Sequence, residues 1–494
     1  MGRRKYVQTL RGTRAQQRHV DLAVAGLHPD TRRALVHVVG SVLGRVRAGG
    51  WGRGRPPAVP VSADFVREHF PGAELGYLVA SGVLFAVAHE RALGLSREYG
   101  VDGGWLLGFV DGAGGAEAAL AEGVRDLATG RPSARPAGHW LSGQNGVYCP
   151  DLAARAARSV GRSLFDGPAV EAHLRRLRAA ADGPDAGGPD GRRGALARYL
   201  TDAACYAGVL GQSVRPEPTE GPGVFSYQPA YMPQRFGRLT ERGGGLQSCS
   251  RAMKAAARAG VRGCHNGDCV AAHPSLLAVL MGRAGVDPAW LRAYLGDPGA
   301  EARYAGAVGV PVSVWKRAFL AVVTGATVPA AGRLEGSAGE VARAFRDGVG
   351  PDEVDGAYGR FLEATGGLRA ELARWHRHLV EEWVPGTATV VGANGGRRYV
   401  TNAAGATVAV DDLAPVGEPH RLVPRLTAFV LQGAEAAVVH RIAASSASYG
   451  FEVWSHEHDG LVTRGAVPEG AVEAAVRDAG FPPGTVRYVE KPFL

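Results

Sequence analysis

The stretch FEVWSHEHDGLVT, Phe451 to Thr463, alternates Phe451, Val453 and Ser455 with Glu452, Trp454 and His456 before Leu461-Val462 resumes. A period of two predicts a strand on either side of a turn at His458-Asp459-Gly460. Just upstream, RLTAFVLQGAEAAVVHRIAASSASYG (425–450) predicts a long helix leading straight into that strand. The β-branched runs of TATVVGANGGRRYVTNAAGATVAV (387–410) flank Asn394-Gly395, a hairpin signal. VSVWKRAFLAVVTG (312–325) predicts an apolar helix, CHNGDCVAAHPSLLAVLMGRAG (264–285) a strand end passing into another, and SCSRAMKAAARAG (248–260) a short basic helix.

The first half has a different grain. DLAARAARSVGRSLF (151–165) and AVEAHLRRLRAAA (169–181) carry apolar residues at helical spacing with Arg opposite. Residues 182–194 and 215–223 predict flexible linkers around a helix at 195–211, a Gly/Pro break falls at 49–60, and 61–180 alternates helix-like patterns with Gly turns. No internal repeat is present. The patterns predict an α+β chain in three parts: an N-terminal arm over 1–56, a mostly helical region over 57–223, and a mixed sheet flanked by helices over 224–494. Asp268 and Asp459 are expected at adjacent strand ends of that sheet.

Charge sharpens the outline. The chain of 494 residues has a formal net charge of +9, 46% hydrophobic and 21% charged residues. Residues 1–56 hold twelve Lys/Arg against Asp21 and Asp30, a net of +10, so the remainder sums to −1. A basic arm on a near-neutral body suits a polyanionic partner, and equally a solvated tail. No stretch of 18 uninterrupted apolar residues predicts a membrane span, and no secretory signal is recognised, so a cytoplasmic protein is expected. Five cysteines argue against a disulfide framework and for a reducing compartment. Cys264-His265 and Asp268-Cys269 lack the second pair that a zinc site needs.

The candidate chemistry lies in five features in a fixed order: GRL (237–239), LQS (246–248), DCVAAHPSLL (268–277), KRAFLAVVTG (316–325), and LQGAEA (431–436) with HDG (458–460). Their order, with 48 residues from Asp268 to Lys316 and 143 from Lys316 to Asp459, resembles the family A DNA polymerases and their relatives, the single-subunit phage-type RNA polymerases. The resemblance runs from about Phe225 to the C-terminus. It implies a right-hand palm with an antiparallel sheet, helical fingers and a helical, thumb-like region upstream.

Phosphoryl transfer to a nucleoside triphosphate uses two divalent ions roughly 3.5–4 Å apart, which two carboxylates on neighbouring strands can bridge. The resemblance makes Asp268 and Asp459 the ligands of two Mg²⁺ ions. The plainer reading has Asp268 capping the next helix and Asp459 in a type I′ turn. Lys316 takes the place of the lysine that neutralises triphosphate charge. Leu320 and Thr324 follow on its helical face at i+4 and i+8 and would line the nucleotide pocket. The sequence departs from the family at Thr324, where tyrosine is usual, at Val312, where arginine is usual, and at Gly460, where glutamate is usual. Arg317 or Arg303 is a candidate replacement for the missing arginine.

His273 stands where the family's DNA polymerases carry a glutamate that excludes a ribose 2′-hydroxyl. A bulky imidazole there would favour deoxynucleotides; a capping or core histidine is the alternative. Arg238, Gln247 and Gln432 match positions that contact the primer–template minor groove, whose acceptors every base pair offers. Arg251, Lys254 and Arg397-Arg398 are candidate phosphate contacts, and His458 a brace for the turn or a primer-end contact. The segment FVDGAGGAEAAL (109–120) lacks the paired acids of a 3′→5′ exonuclease. The expectation is a monomeric, exonuclease-lacking DNA polymerase acting on primer–template and dNTPs. A ribonucleotide-using RNA polymerase or primase, or an inactive palm that binds nucleic acid, are its rivals.

Overall fold

The structure is a computed structural model that describes residues 10–47, 57–61, 63–87, 98–122, 125–131, 150–183, 188–212, 214–241, 245–337, 339–391, 396–413 and 421–493. Helix α1 (Arg14–Ala23) opens on a reciprocal capping box: the Gln16 amide donates to the Thr13 hydroxyl at 3.3 Å, and the Thr13 amide donates to Gln16 Oε1 at 3.1 Å. In α2 (Pro29–Arg47), Leu35, Val39, Val42, Leu43 and Val46 are fully buried in a core shared with Tyr199, Leu200 and Ala203. The segment expected as a basic arm is therefore folded over 10–47. Its Val/Leu positions follow helical spacing beneath the charges, and Arg33 and Arg32 pair with Asp30 and Asp21. The rest of the expected arm, 1–9 and 48–56, lies outside the described residues.

Helix α3 (Asp151–Arg158) is followed by β1 (Ser163–Asp166) and α4 (Gly167–Asp182), whose N-cap Asp166 accepts from the Ala169 amide at 2.9 Å. Helix α5 (Gly188–Leu210) packs along α4 and starts seven residues earlier than its pattern predicted. The expected linker at 215–223 is partly ordered, because Arg215 and Pro216 pair with Ser226 and Phe225 of β2 (Val224–Tyr227). β2 also pairs antiparallel with β1, so backbone ladders cross the boundary predicted at 223.

The second half begins with α6 (Arg251–Arg258), β3 (Cys264–Val270) and α7 (Ala272–Arg283). Helices α8 (Ala300–Val308) and α9 (Val312–Val323) then join helices at 340–348, 354–364 and 366–378 around an aromatic core of Trp315, Phe319, Phe345, Phe361, Trp375 and Phe429. The β-branched region forms a three-stranded antiparallel sheet, Thr389–Val391, Arg397–Thr401 and Thr407–Ala409; its Asn394-Gly395 turn lies outside the described residues.

Helix α10 (Leu422–Ala444) leads to β4 (Glu452–His456), β5 (Gly460–Arg464), α11 (Glu469–Asp478) and β6 (Arg487–Glu490). The order β4-β5-β3-β6 makes one antiparallel sheet with β3 and β5 at its centre. A bulge between Val453 and Ser455 turns Trp454 against Leu164 and Val462, so β4 is buried on both faces and its alternation does not mark a solvent side. α10 has the length and apolarity of a membrane span, but most of it is buried within the protein. Against it lies α3, whose Ala153, Ala156 and Ala157 have no side chain beyond Cβ to hold the helices apart. The Gly161 amide donates to the Val453 carbonyl at 2.7 Å. Ala153, Ala156, Ala157 and Val160, expected with the N-terminal region, thus belong to the core of the central sheet, while β1 pairs with β2 in a separate sheet.

Candidate active site

Asp268 sits on a central strand, opposite Gly460 of β5 and Val489 of β6. One residue on, the Cys269 amide donates to the Asp459 carbonyl at 2.9 Å, so the β4–β5 turn leans over β3 beside Asp268. The turn is tight. The Asp459 amide donates to the Glu457 carbonyl at 2.8 Å across His458, whose φ of 62° lies in the left-handed region. That is a γ-turn hydrogen bond about a non-glycine residue, a conformation that surrounding structure must impose.

Gly460 allows this approach, and Gly267 makes room for the Tyr488 ring of β6. A Cβ on Gly460 would lie 2.0 Å from the Gly267 carbonyl oxygen and 3.0 Å from Asp268 Cα, and a Cβ on Gly267 would lie 2.2 Å from the Tyr488 ring. Gly460 has no room for a side chain unless the backbone shifts.

Asp459 is exposed at the tip of the turn, with the acids Asp268 and Glu435 near it. Desolvation first, then the charges of Asp268 and Glu435, push its carboxyl up to about 6. Asp268 Oδ2 pairs with Lys491 Nζ just beyond β6, while Asp268 Oδ1 is buried without a partner among the described residues. Two acids that repel each other, one with an unused buried oxygen, fit a hard divalent cation. Among the described residues no group of three or more His, Cys, Asp and Glu forms a metal cage. Mg²⁺ with water and phosphate ligands needs none.

Around the pair lies a charged shell. Glu435 of α10 accepts from Arg238 Nε at 2.8 Å and lies 3.1 Å from His273 Nε2 in the first turn of α7. His458 is half-buried, with Nδ1 unpartnered among the described residues; burial, then Arg238, hold its imidazole below the ordinary histidine value. Lys254 pairs with Glu457, which also accepts from Ser455 Oγ at 2.9 Å. Burial works against the Lys254 ammonium, but Glu457 outweighs it and raises the lysine. Lys254 thus braces the base of the turn.

The other expected residues divide. Gln247 is buried, with its amide donating to the Leu239 carbonyl at 3.0 Å and accepting from the Glu241 amide at 2.7 Å; it supports the fold and offers nothing to a groove. Arg251 is exposed at the start of α6, and Gln432 is half-buried one turn before Glu435. On α9, Val312 and Leu320 are each 41% exposed, the Lys316 side chain is 51% exposed and Thr324 is half-buried. Lys316 Nζ lies 2.9 Å from Glu301 of α8, and the Thr324 hydroxyl donates to the Leu320 carbonyl at 2.9 Å. Arg303 and Arg317, the candidate replacements at the phosphates, are paired with Asp297 and with Glu340 and Asp347. Arg397 lies 2.5 Å from Asp412, and Arg398 is exposed.

Three residues were not singled out from the sequence: Glu435, Glu457 and Lys491. For Glu435 there was a signal, a lone acid inside an apolar helix, which must meet a partner. For Lys491 there was none.

No family model and no curated protein matches the chain. Among solved structures it is similar to the POL domain of Pol1 from M. smegmatis in complex with DNA primer-template and dNTP. The TM-score is 0.45 and the identity 14%, over 69% of this chain and 70% of that one.

Proposed function

We propose that the protein catalyses template-directed nucleotidyl transfer, extending a DNA primer with dNTPs. One observation carries this reading: the turn that presents Asp459 is hydrogen-bonded to the strand of Asp268 through the Cys269 amide, the two carboxylates repel each other, and Asp268 Oδ1 is buried without a partner among the described residues. The ordered motifs and their spacing point the same way.

Asp268 and Asp459 would hold two Mg²⁺ ions. When bound, such ions activate the primer 3′-hydroxyl and stabilise charge on the phosphates. The turn at 457–459, braced by Lys254 and Ser455, keeps Asp459 against β3. Lys316 supplies a positive charge to the triphosphate from an exposed helical face whose Leu320 and Thr324 line the nucleotide. His273 occupies the place where a 2′-hydroxyl would fall, which favours deoxynucleotides. Arg238 and Gln432 face the minor groove of the nascent pair, His458 the primer end, and Arg251 and Arg398 the backbone phosphates.

A labelled primer–template incubated with Mg²⁺ and either dNTPs or NTPs tests the reading. Extension with dNTPs, lost in Asp268→Ala and Asp459→Ala while duplex binding persists, is expected. Binding without extension in the wild type would leave a nucleic-acid-binding protein instead. Extension with NTPs alone would make it a ribonucleotide polymerase.

A further inference from the structure

Glu435 holds a charge in the interior of an apolar helix. Ala434, Ala436 and Ala437 beside it are buried, and only 4% of its own side chain is exposed. A carboxylate placed so is retained only where positive groups oppose it. Two do, one on each oxygen. Oε1 takes Arg238 Nε at 2.8 Å and Nη2 at 2.6 Å, and Oε2 takes His273 Nε2 at 3.1 Å. Burial acts to raise this acid, and the His273 and Arg238 contacts together reverse it, so the anion is the held form.

The two partners come from separate elements, Arg238 from the residues before the strand at 239–241 and His273 from the first turn of α7. Glu435 brings them within 3.4 Å of each other. Both keep an edge toward solvent, the side chains of Arg238 and His273 being 20% and 13% exposed. With both oxygens engaged, Glu435 is not free to ligate a cation. Its chemistry is that of a bracket. A histidine without a partner has several rotamers and would swing away from a 2′-hydroxyl; a ring held at Nε2 by a buried anion would not.

We propose that Glu435 is a positioning residue for sugar selection: it fixes His273 beside the sugar of the incoming nucleoside triphosphate and ties that imidazole to Arg238 on the primer side. The inference rests on the polymerase reading above. It assigns the choice between deoxyribonucleotide and ribonucleotide to a residue that touches neither.

The test is single-nucleotide incorporation of dATP and ATP by wild type, Glu435→Gln, His273→Ala and the double variant. Discrimination against ATP is expected to fall about tenfold in Glu435→Gln, the loss of one charge-assisted hydrogen bond. It should fall to a similar level in His273→Ala and no further in the double variant, since the two act as a unit. Glu435→Asp should restore part of it. Additive losses, or unchanged discrimination with only slower incorporation, would overturn the inference while leaving the polymerase reading intact. No incorporation by the wild type would remove the reading itself. Imidazole resonances of His273 give an independent readout in the unliganded protein. They should move in Glu435→Gln, and if they do not, Glu435 does not hold the ring. Should Glu435→Gln fail to fold, the same comparison is made with Glu435→Asp, which keeps the charge and shortens the reach. An unchanged His273 signal and unchanged discrimination there refute the proposal.

Discussion

Substituting Gly460→Ala probes the closest approach in the candidate site. The added Cβ would meet the Gly267 carbonyl oxygen at 2.0 Å and Asp268 Cα at 3.0 Å, and both are backbone atoms that cannot swing aside. Relief needs the turn and β3 to separate by about 1 Å, at a cost of roughly 1–3 kcal/mol for an overpacked site. In a chain this long that lowers the melting temperature by only a few degrees. The functional effect should be larger, because a displacement of about 1 Å between catalytic groups is worth on the order of 10²-fold in rate. Melting curves and primer extension on the same preparation check both. Gly282→Ala in α7 is the control: nothing lies within 4 Å of its Cβ, so it should be neutral or stabilising by about 0.5–1 kcal/mol. Wild-type melting and wild-type extension by Gly460→Ala would refute the packing of the turn on β3, and with it the convergence of the two aspartates.

Other outcomes follow from charge. Removing the negative neighbour in Asp268→Asn should lower the titration midpoint of Asp459 from about 6 toward the ordinary carboxylate range; carboxyl carbon shifts across pH 3 to 8 read this, and an unmoved midpoint would mean that the two do not interact. Burial depresses His440 to about 4 and His456 to about 3. A histidine held below its unfolded value contributes stability that is complete above about pH 6.5 and is lost as pH falls toward the folded value. In His456→Gln the decline of melting temperature from pH 6.5 to 4.5 should therefore be shallower than in wild type, and an equal or steeper decline would count against a neutral buried ring. Lys491→Met frees Asp268 Oδ2 from its internal cation, so Mn²⁺ binding followed by calorimetry should tighten several-fold; weaker binding would show that Lys491 supports the site.

The elements that carry the candidate site were legible as local pattern, and the resemblance supplied the roles expected of its residues. Asp268 ends an alternating strand just before an apolar helix, and Asp459 interrupts another between Glu457 and Gly460. The ordered motifs, through the resemblance they carry, singled out that pair together with Lys316, Leu320 and Thr324. Motif position did not foretell that the Gln247 amide is engaged with its own backbone neighbours, or that Lys254 meets Glu457 across 203 positions. In the expected N-terminal arm, a high density of arginine concealed the apolar stripe of α2. Local pattern reports which face of an element is apolar. It does not report which element will cover that face.

Residue spacing along the chain thus determined the α+β character, the strand of Asp268, the turn of Asp459 and the helix of Lys316, because periodicity is a property of neighbours in sequence. The tertiary structure alone decided three things. It placed Asp268 opposite Gly460, seated α3 in the core of the central sheet, and closed Arg238, His273 and Glu435 into one network. Each of these depends on strand register or helix packing between segments far apart in the chain, where a shift of one residue would reverse which side chains meet.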